Sequence, residues 1–94
     1  MYEIRLTKSF RKSFKRIVRS GQYKGIVDGV TAVLDIISNK QDLPRKYGDH
    51  ALKGEYVTYR ECHLKTNLLL IYKIDTRENI LYAVDIGSHP ELFS

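Results

Sequence analysis

Three side chains in this chain are suited to moving protons near neutral pH: His50, His63 and His89. Each falls at the boundary of an expected element rather than inside an apolar face. His50 closes a long polar loop, His63 lies near the end of a strand, and His89 follows the last strand. The two-residue period of a strand puts Glu61 on the same face as His63. If the second and fourth sheet strands run in the same direction, their ends share one edge, and His63 and His89 approach each other. A pair of histidines beside a cation suits RNA cleavage. One ring takes the proton of the 2′-OH and the other gives a proton to the 5′-oxygen, while Lys53 or Arg60 offsets charge on the phosphate. The nucleophile then belongs to the RNA, so no metal and no cofactor is required. The plain alternative is three unrelated surface histidines, and the residues alone leave both open.

Other chemistry finds little support. The chain has no phosphate-binding glycine loop and no HExxH. One cysteine and three histidines make a closed zinc site a poor fit. Cys62 falls on the opposite strand face from His63, where it reads as a small buried residue rather than a nucleophile. Tyr56, Tyr59 and Tyr72 read as core or sheet aromatics.

The elements that must hold these residues follow from the pattern. Tyr2, Ile4 and Leu6 alternate with polar residues, as in a half-buried strand. Thr7 is placed to cap a helix, and Phe10, Phe14, Ile17 and Val18 make one apolar face of it. Ser20-Gly21 breaks that helix. A second follows, with Ile26, Val30, Val33, Leu34 and Ile37 on its apolar side. Residues 38–50 read as a loop. Beyond them come a possible short strand at Ala51–Gly54, a strand at Val57–Leu64, and the apolar run Leu68–Tyr72, which should be central and covered on both faces. A turn at residues 75–79 leads to a last alternating strand through Ile80, Tyr82, Val84 and Ile86. Pro90 opens a final helical turn. The expected class is α+β, in the order β-α-α-β-β-β: a helical hairpin on a mainly antiparallel sheet of about four strands, within one domain over residues 1–94.

Composition narrows the classes. With 94 residues the chain supports a single core. No apolar run reaches the length of a membrane span, no signal-peptide core is present, and a lone cysteine excludes an internal disulfide. A reducing cytoplasm is the expected setting. The net charge of +5 is uneven. Residues 1–24 carry eight basic side chains against Glu3 alone, a net of +7, while the remainder carries a net of −2. Lys8, Arg11, Lys12, Lys15, Arg16 and Arg19 fill the polar side of the first helix. That footprint suits a polyanion partner, and equally a solvated helix face.

Four segments carry a family resemblance: Tyr47-Gly48-Asp49-His50-Ala51-Leu52-Lys53-Gly54, Tyr59-Arg60-Glu61-Cys62-His63-Leu64-Lys65, Leu68-Leu69-Leu70-Ile71-Tyr72 and Gly87-Ser88-His89-Pro90-Glu91-Leu92-Phe93. In order and separation they strongly resemble the YafQ-type toxins of the RelE/ParE superfamily. The resemblance implies a bacterial type II toxin that cuts mRNA on the ribosome without a metal. It also implies silencing by a cognate antitoxin, a DinJ-like ribbon-helix-helix protein. It gives His50, His63 and His89 catalytic roles and Phe93 a part in positioning RNA, with the basic first helix docking on ribosomal RNA. Two family aspartates are replaced. Glu61 stands at one with a longer reach, and Asn67 at the other without charge. The alternatives are a non-nucleolytic gyrase inhibitor of the same fold, or an RNA- or antitoxin-binding module with weakened catalysis.

Overall fold

The computed structural model describes residues 1–54 and 58–93. The expected strand start at Val57 and the aromatic Tyr56 fall outside the described residues. Strand β1 (Glu3–Leu6) is followed by helices α1 (Lys8–Ser20) and α2 (Ile26–Ser38), and then by a single 3-10 turn at Arg45–Tyr47. Strands β2 (His50–Ala51), β3 (Arg60–Lys65), β4 (Leu68–Asp75) and β5 (Ile80–Gly87) come next, and helix α3 (His89–Phe93) ends the chain. The class is α+β, and the sheet is five-stranded in the order β1-β5-β4-β3-β2. The strand beyond the expected four is β2, two residues long, which starts at His50 rather than after it.

Local chemistry sets the helix ends. The Thr7 hydroxyl accepts from the Phe10 N–H at 3.1 Å and donates to the Val84 carbonyl at 2.6 Å. It therefore caps α1 and ties the helix start to the sheet. Gly21, in the left-handed region at φ 66, closes α1 through a bond to Val18 O. Phe10 and Ile17 are buried, and Phe10 stacks on Phe14 with ring centroids 5.4 Å apart. Val18 stays on the rim at 42% exposure. All five expected apolar residues of α2 are buried.

The run Leu68–Tyr72 forms β4 and is buried along its whole length, as its continuous hydrophobicity requires. It is the central strand, antiparallel to both β3 and β5, so β3 and β5 run the same way. Strand β1 pairs in parallel with β5 at the sheet's outer edge, and Ile4 and Leu6 stay exposed there.

The alternation in β5 is out of phase with expectation. Leu81, Ala83 and Ile86 face the helices in the core, while Tyr82 and Val84 are only half buried. A register shift where Ile71 and Tyr72 meet Asp85 and Ala83 leaves Val84 unpaired. One extra residue there inverts the strand's faces partway along.

Candidate active site

The pairing of β2 with β3 sets His50 directly across from Glu61. His50 Nε2 lies 2.8 Å from Glu61 Oε1, and His50 Nδ1 lies 3.0 Å from the Ala51 carbonyl oxygen. Both ring nitrogens therefore face acceptors. A neutral imidazole has one N–H and meets one of them. Both are met when the ring carries two protons, or when Glu61 itself carries one. Glu61 is 4% exposed, and its Oε2 is buried with no hydrogen-bond partner among the described residues. A carboxyl oxygen buried without a partner is costly to maintain, so this pair holds unspent hydrogen-bonding capacity at the base of a cleft.

Two residues along β3, His63 shares the face of Glu61. Its ring centroid is 6.5 Å from that of His89, and His89 is 5.4 Å from Phe93. The common direction of β3 and β5 produces this approach. The short α3 holds His89 in place by a reciprocal cap. Glu91 Oε1 accepts from the Ser88 N–H at 2.8 Å, and the Ser88 hydroxyl accepts from the Glu91 N–H at 3.4 Å. This is the S-x-x-E capping box, readable at Ser88 and Glu91 but not singled out from the sequence. Arg16 of α1 donates to Glu91 Oε2 at 2.9 Å and anchors the turn from outside. The Ser88 N–H, and after it Arg16, hold the Glu91 carboxyl below its ordinary range. Gly87 eases the entry, because a Cβ there would lie 3.2 Å from Glu91 Oε1.

A hollow of about 290 Å³ is lined by His50, Lys53, Glu61, His89 and Phe93, among others. His63 stands next to it through His89. Asn67 lies in the exposed turn between β3 and β4, and among the described residues no hydrogen bond joins it to a histidine.

Arg60 points to the other sheet face, as the strand period demands. It donates to Asp49 from Nη2 (3.1 Å) and Nε (3.3 Å), and Nε also lies 3.3 Å from the Tyr72 hydroxyl. The Tyr72 hydroxyl in turn donates to Asp49 Oδ1 at 2.5 Å. The bond to Asp49 raises the Arg60 pKa above its ordinary value. Burial, reinforced by Asp49, raises that of Tyr72. Arg60 is thus committed to a polar lock behind the sheet rather than to the histidine face. Asp49, adjacent to His50, carries this lock, and sequence reasoning assigned it no role.

Cys62 is fully buried, and burial pushes its thiol up to about 12. Lys8, Arg11, Lys12, Lys15, Arg16 and Arg19 are exposed on α1, and four of them, Lys12, Lys15, Arg16 and Arg19, line one shallow depression. Among the described residues, no three His, Cys, Asp or Glu side chains converge as metal ligands, and no helix is long and apolar enough to cross a membrane.

Residues 2–94 match the family model described as the bacterial toxin of type II toxin–antitoxin systems, YafQ. An Escherichia coli protein named mRNA interferase toxin YafQ is 36% identical over 58 residues, 62% of this chain and 61% of that protein. A YafQ relative from Haemophilus influenzae is 46% identical over 44 residues, 47% of this chain and 42% of its own length. The matched stretches thus span about half the length of these curated relatives. Among solved structures, a metal-bound toxin from Helicobacter pylori is 42% identical with a TM-score of 0.90, over 99% of this chain and all of that one. The toxin fold of the Escherichia coli DinJ–YafQ complex matches over the full length of both chains, at 25% identity and a TM-score of 0.83.

Proposed function

The chain belongs to the YafQ family of bacterial type II toxins, and from that premise we propose that it is a ribosome-dependent mRNA endonuclease. The observation that carries this reading is the hollow in which His50, Glu61, Lys53, His89 and Phe93 meet, with His63 beside it.

The RNA 2′-oxygen attacks the adjacent phosphorus. A new O–P bond forms, the bond to the 5′-oxygen breaks, and the products are a cyclic phosphate and a 5′-OH. Neutral His50 accepts the 2′-OH proton on Nδ1, exchanging the Ala51 carbonyl oxygen for the RNA hydroxyl, while its Nε2–H stays on Glu61. The buried carboxylate fixes the ring and balances the imidazolium that results. His89 protonates the departing 5′-oxygen from its exposed place at the start of α3. His63 and Lys53 face the phosphate and offset its charge. Phe93, 44% exposed beside His89, offers its face to a base.

Because the nucleophile comes from the RNA, the residues named here account for every proton that moves. The basic face of α1 docks on ribosomal RNA, with affinity that falls steeply as salt rises. A DinJ-like ribbon-helix-helix antitoxin is the proposed inhibitor, wrapping the toxin with a segment that orders on binding. The setting is the bacterial cytoplasm.

The test is a translation extract in which mRNA ends are mapped by primer extension. Wild-type protein should produce new 5′ ends within translated codons. His89→Ala should slow their appearance by about 10²–10⁴-fold. Cleavage that persists unchanged in that variant sinks the acid role. Relaxed DNA accumulating in a gyrase assay, with no mRNA cut, would point to the gyrase inhibitor instead.

A further inference from the structure

A second groove lies away from the hollow just described, and its cations take no part in that hollow. It measures about 660 Å³, within the range of sites that enclose small ligands. Its walls are the 3-10 turn, the β3–β4 hairpin and the start of α2. Arg45, Lys46 and Lys65 supply three positive charges, and among the described residues none that lines it is acidic. Asp28, in the first turn of α2, does not line it.

Two further observations point to a nucleotide. Tyr47 lines the groove; its ring packs partly against the core and carries the flexible Lys46 over it, with Nζ 5.2 Å from the centroid. A phosphate that draws Lys46 aside leaves a ring face for a base. His63 also lines the groove. That ring is seated against Gly48, where an added Cβ would lie 3.4 Å from His63 Cδ2, and it stands 6.5 Å from His89. A strand of RNA whose reacting phosphate rests at His89 therefore continues past His63 into this groove.

We propose that the groove is a subsite for a nucleotide of single-stranded RNA flanking the cut, with Arg45, Lys46 and Lys65 on its phosphates and Tyr47 under its base. The proposal rests on the endonuclease reading, and it gives that reading a substrate track of its own. Phosphate contacts fix the register of the strand, while stacking tolerates any base. The cations of α1 serve the ribosome on another face.

The probe is a fluorescent hexauridylate with 2′-O-methyl groups, which removes the nucleophile and so prevents cleavage. Wild-type protein should bind it saturably at low salt. Arg45→Ala, Lys46→Ala and Lys65→Ala combined should weaken binding at least tenfold and flatten the salt dependence by about two units of log–log slope, at ~0.7 per contact. Lys24→Ala with Arg77→Ala, two exposed cations outside the groove, should change affinity less than twofold. As a measurement that needs no variant, amide resonances of Gly29, Gly48 and Thr66 in the wild-type protein should shift on titration. The inference is overturned if the wild type shows no saturable binding, if the control variant loses as much as the groove variant, or if shifts are confined to α1. Ribosomal cleavage without groove binding would leave the endonuclease reading standing and remove this one. Groove binding by a protein that never cuts mRNA would do the reverse.

Discussion

Substitution of Asp49 should produce a reversal of sign at a second position. Its carboxylate accepts from the Tyr72 hydroxyl and twice from Arg60. Tyr72 is 2% exposed, so in Asp49→Ala its O–H loses its acceptor, with only the 3.3 Å contact from Arg60 Nε left to the oxygen, at a cost of about 1–3 kcal/mol. The Arg60 side chain is 39% exposed, so its ion pair adds at most about 1 kcal/mol. The sum is roughly 1–4 kcal/mol, against the roughly 5–14 kcal/mol that holds a chain of this size together. Tyr72→Phe alone removes the bond to Asp49 and the longer one from Arg60 Nε, and should cost about 1–2 kcal/mol. In the Asp49→Ala background the same change removes the stranded hydroxyl, so the double variant should be more stable than Asp49→Ala by about 1 kcal/mol.

Urea denaturation followed by circular dichroism measures all four corners of this cycle; the chain has no tryptophan to report by fluorescence. The functional side of the lock is local. Strand β2 pairs with β3 through only two residue pairs, and a slip of one residue would carry His50 to the wrong face. Long-range imidazole NMR of Asp49→Ala should therefore show His50 losing its carboxylate-bonded Nε2, while His63 and His89 keep their signals. If Tyr72→Phe costs the same in both backgrounds, within the few tenths of a kcal/mol expected of independent sites, the lock does not exist as described.

Three further outcomes are expected. The Glu91 carboxyl is held below its ordinary value of 4.5 by the Ser88 N–H and Arg16. The order it confers on α3 is therefore complete above that pH and is lost as pH falls through the lower folded value. The Ser88 amide resonance should follow this titration in the wild type and not in Glu91→Gln. The Cys62 thiol, raised to about 12 by burial, should resist iodoacetamide at pH 8 until the chain is unfolded. Its contribution to stability is full below its ordinary value of 9.0 and fades between there and about 12; thiol-modification rates with and without urea check the first point and a pH series of denaturation curves the second. In Gly87→Ala the new Cβ meets Glu91 and Leu92 at 3.2–3.5 Å. The tip of the Glu91 side chain gives way by a few tenths of an ångström and the other contacts are ordinary, so the change should cost at most about 1 kcal/mol in urea denaturation.

Much of the fold was legible because its signals are local. Thr7 announces the start of α1, and the spacing of five apolar residues announces α2. The unbroken run Leu68–Tyr72 announces a strand covered on both sides. The phase of β5 was not legible, because the extra residue at Val84 is a property of pairing with β4 rather than of β5 itself. Strand β2 was legible only as a short strand at Ala51–Gly54, and its place at His50–Ala51 is set by pairing with β3. Arg60 shows how far a simple rule reaches. Its odd-even place relative to Glu61 already put it on the other sheet face, yet only the folded chain shows Asp49 and Tyr72 waiting there. The capping box at Ser88 and Glu91 was present in the sequence as S-x-x-E, without the apolar run that usually marks it.

By itself the sequence determined the identities: which side chains can carry protons, which segments must be buried, and that the positive charge belongs to the first helix. Those are properties of residue type and short-range spacing, and they survive any uncertainty about pairing. The tertiary structure decided which of these residues meet. His50 faces Glu61 across a two-residue strand, His63 nears His89 because β3 and β5 share a direction, and Arg60 is spent on Asp49. Each of these depends on contacts between residues up to dozens of positions apart, fixed by strand order and register, and no local pattern encodes them.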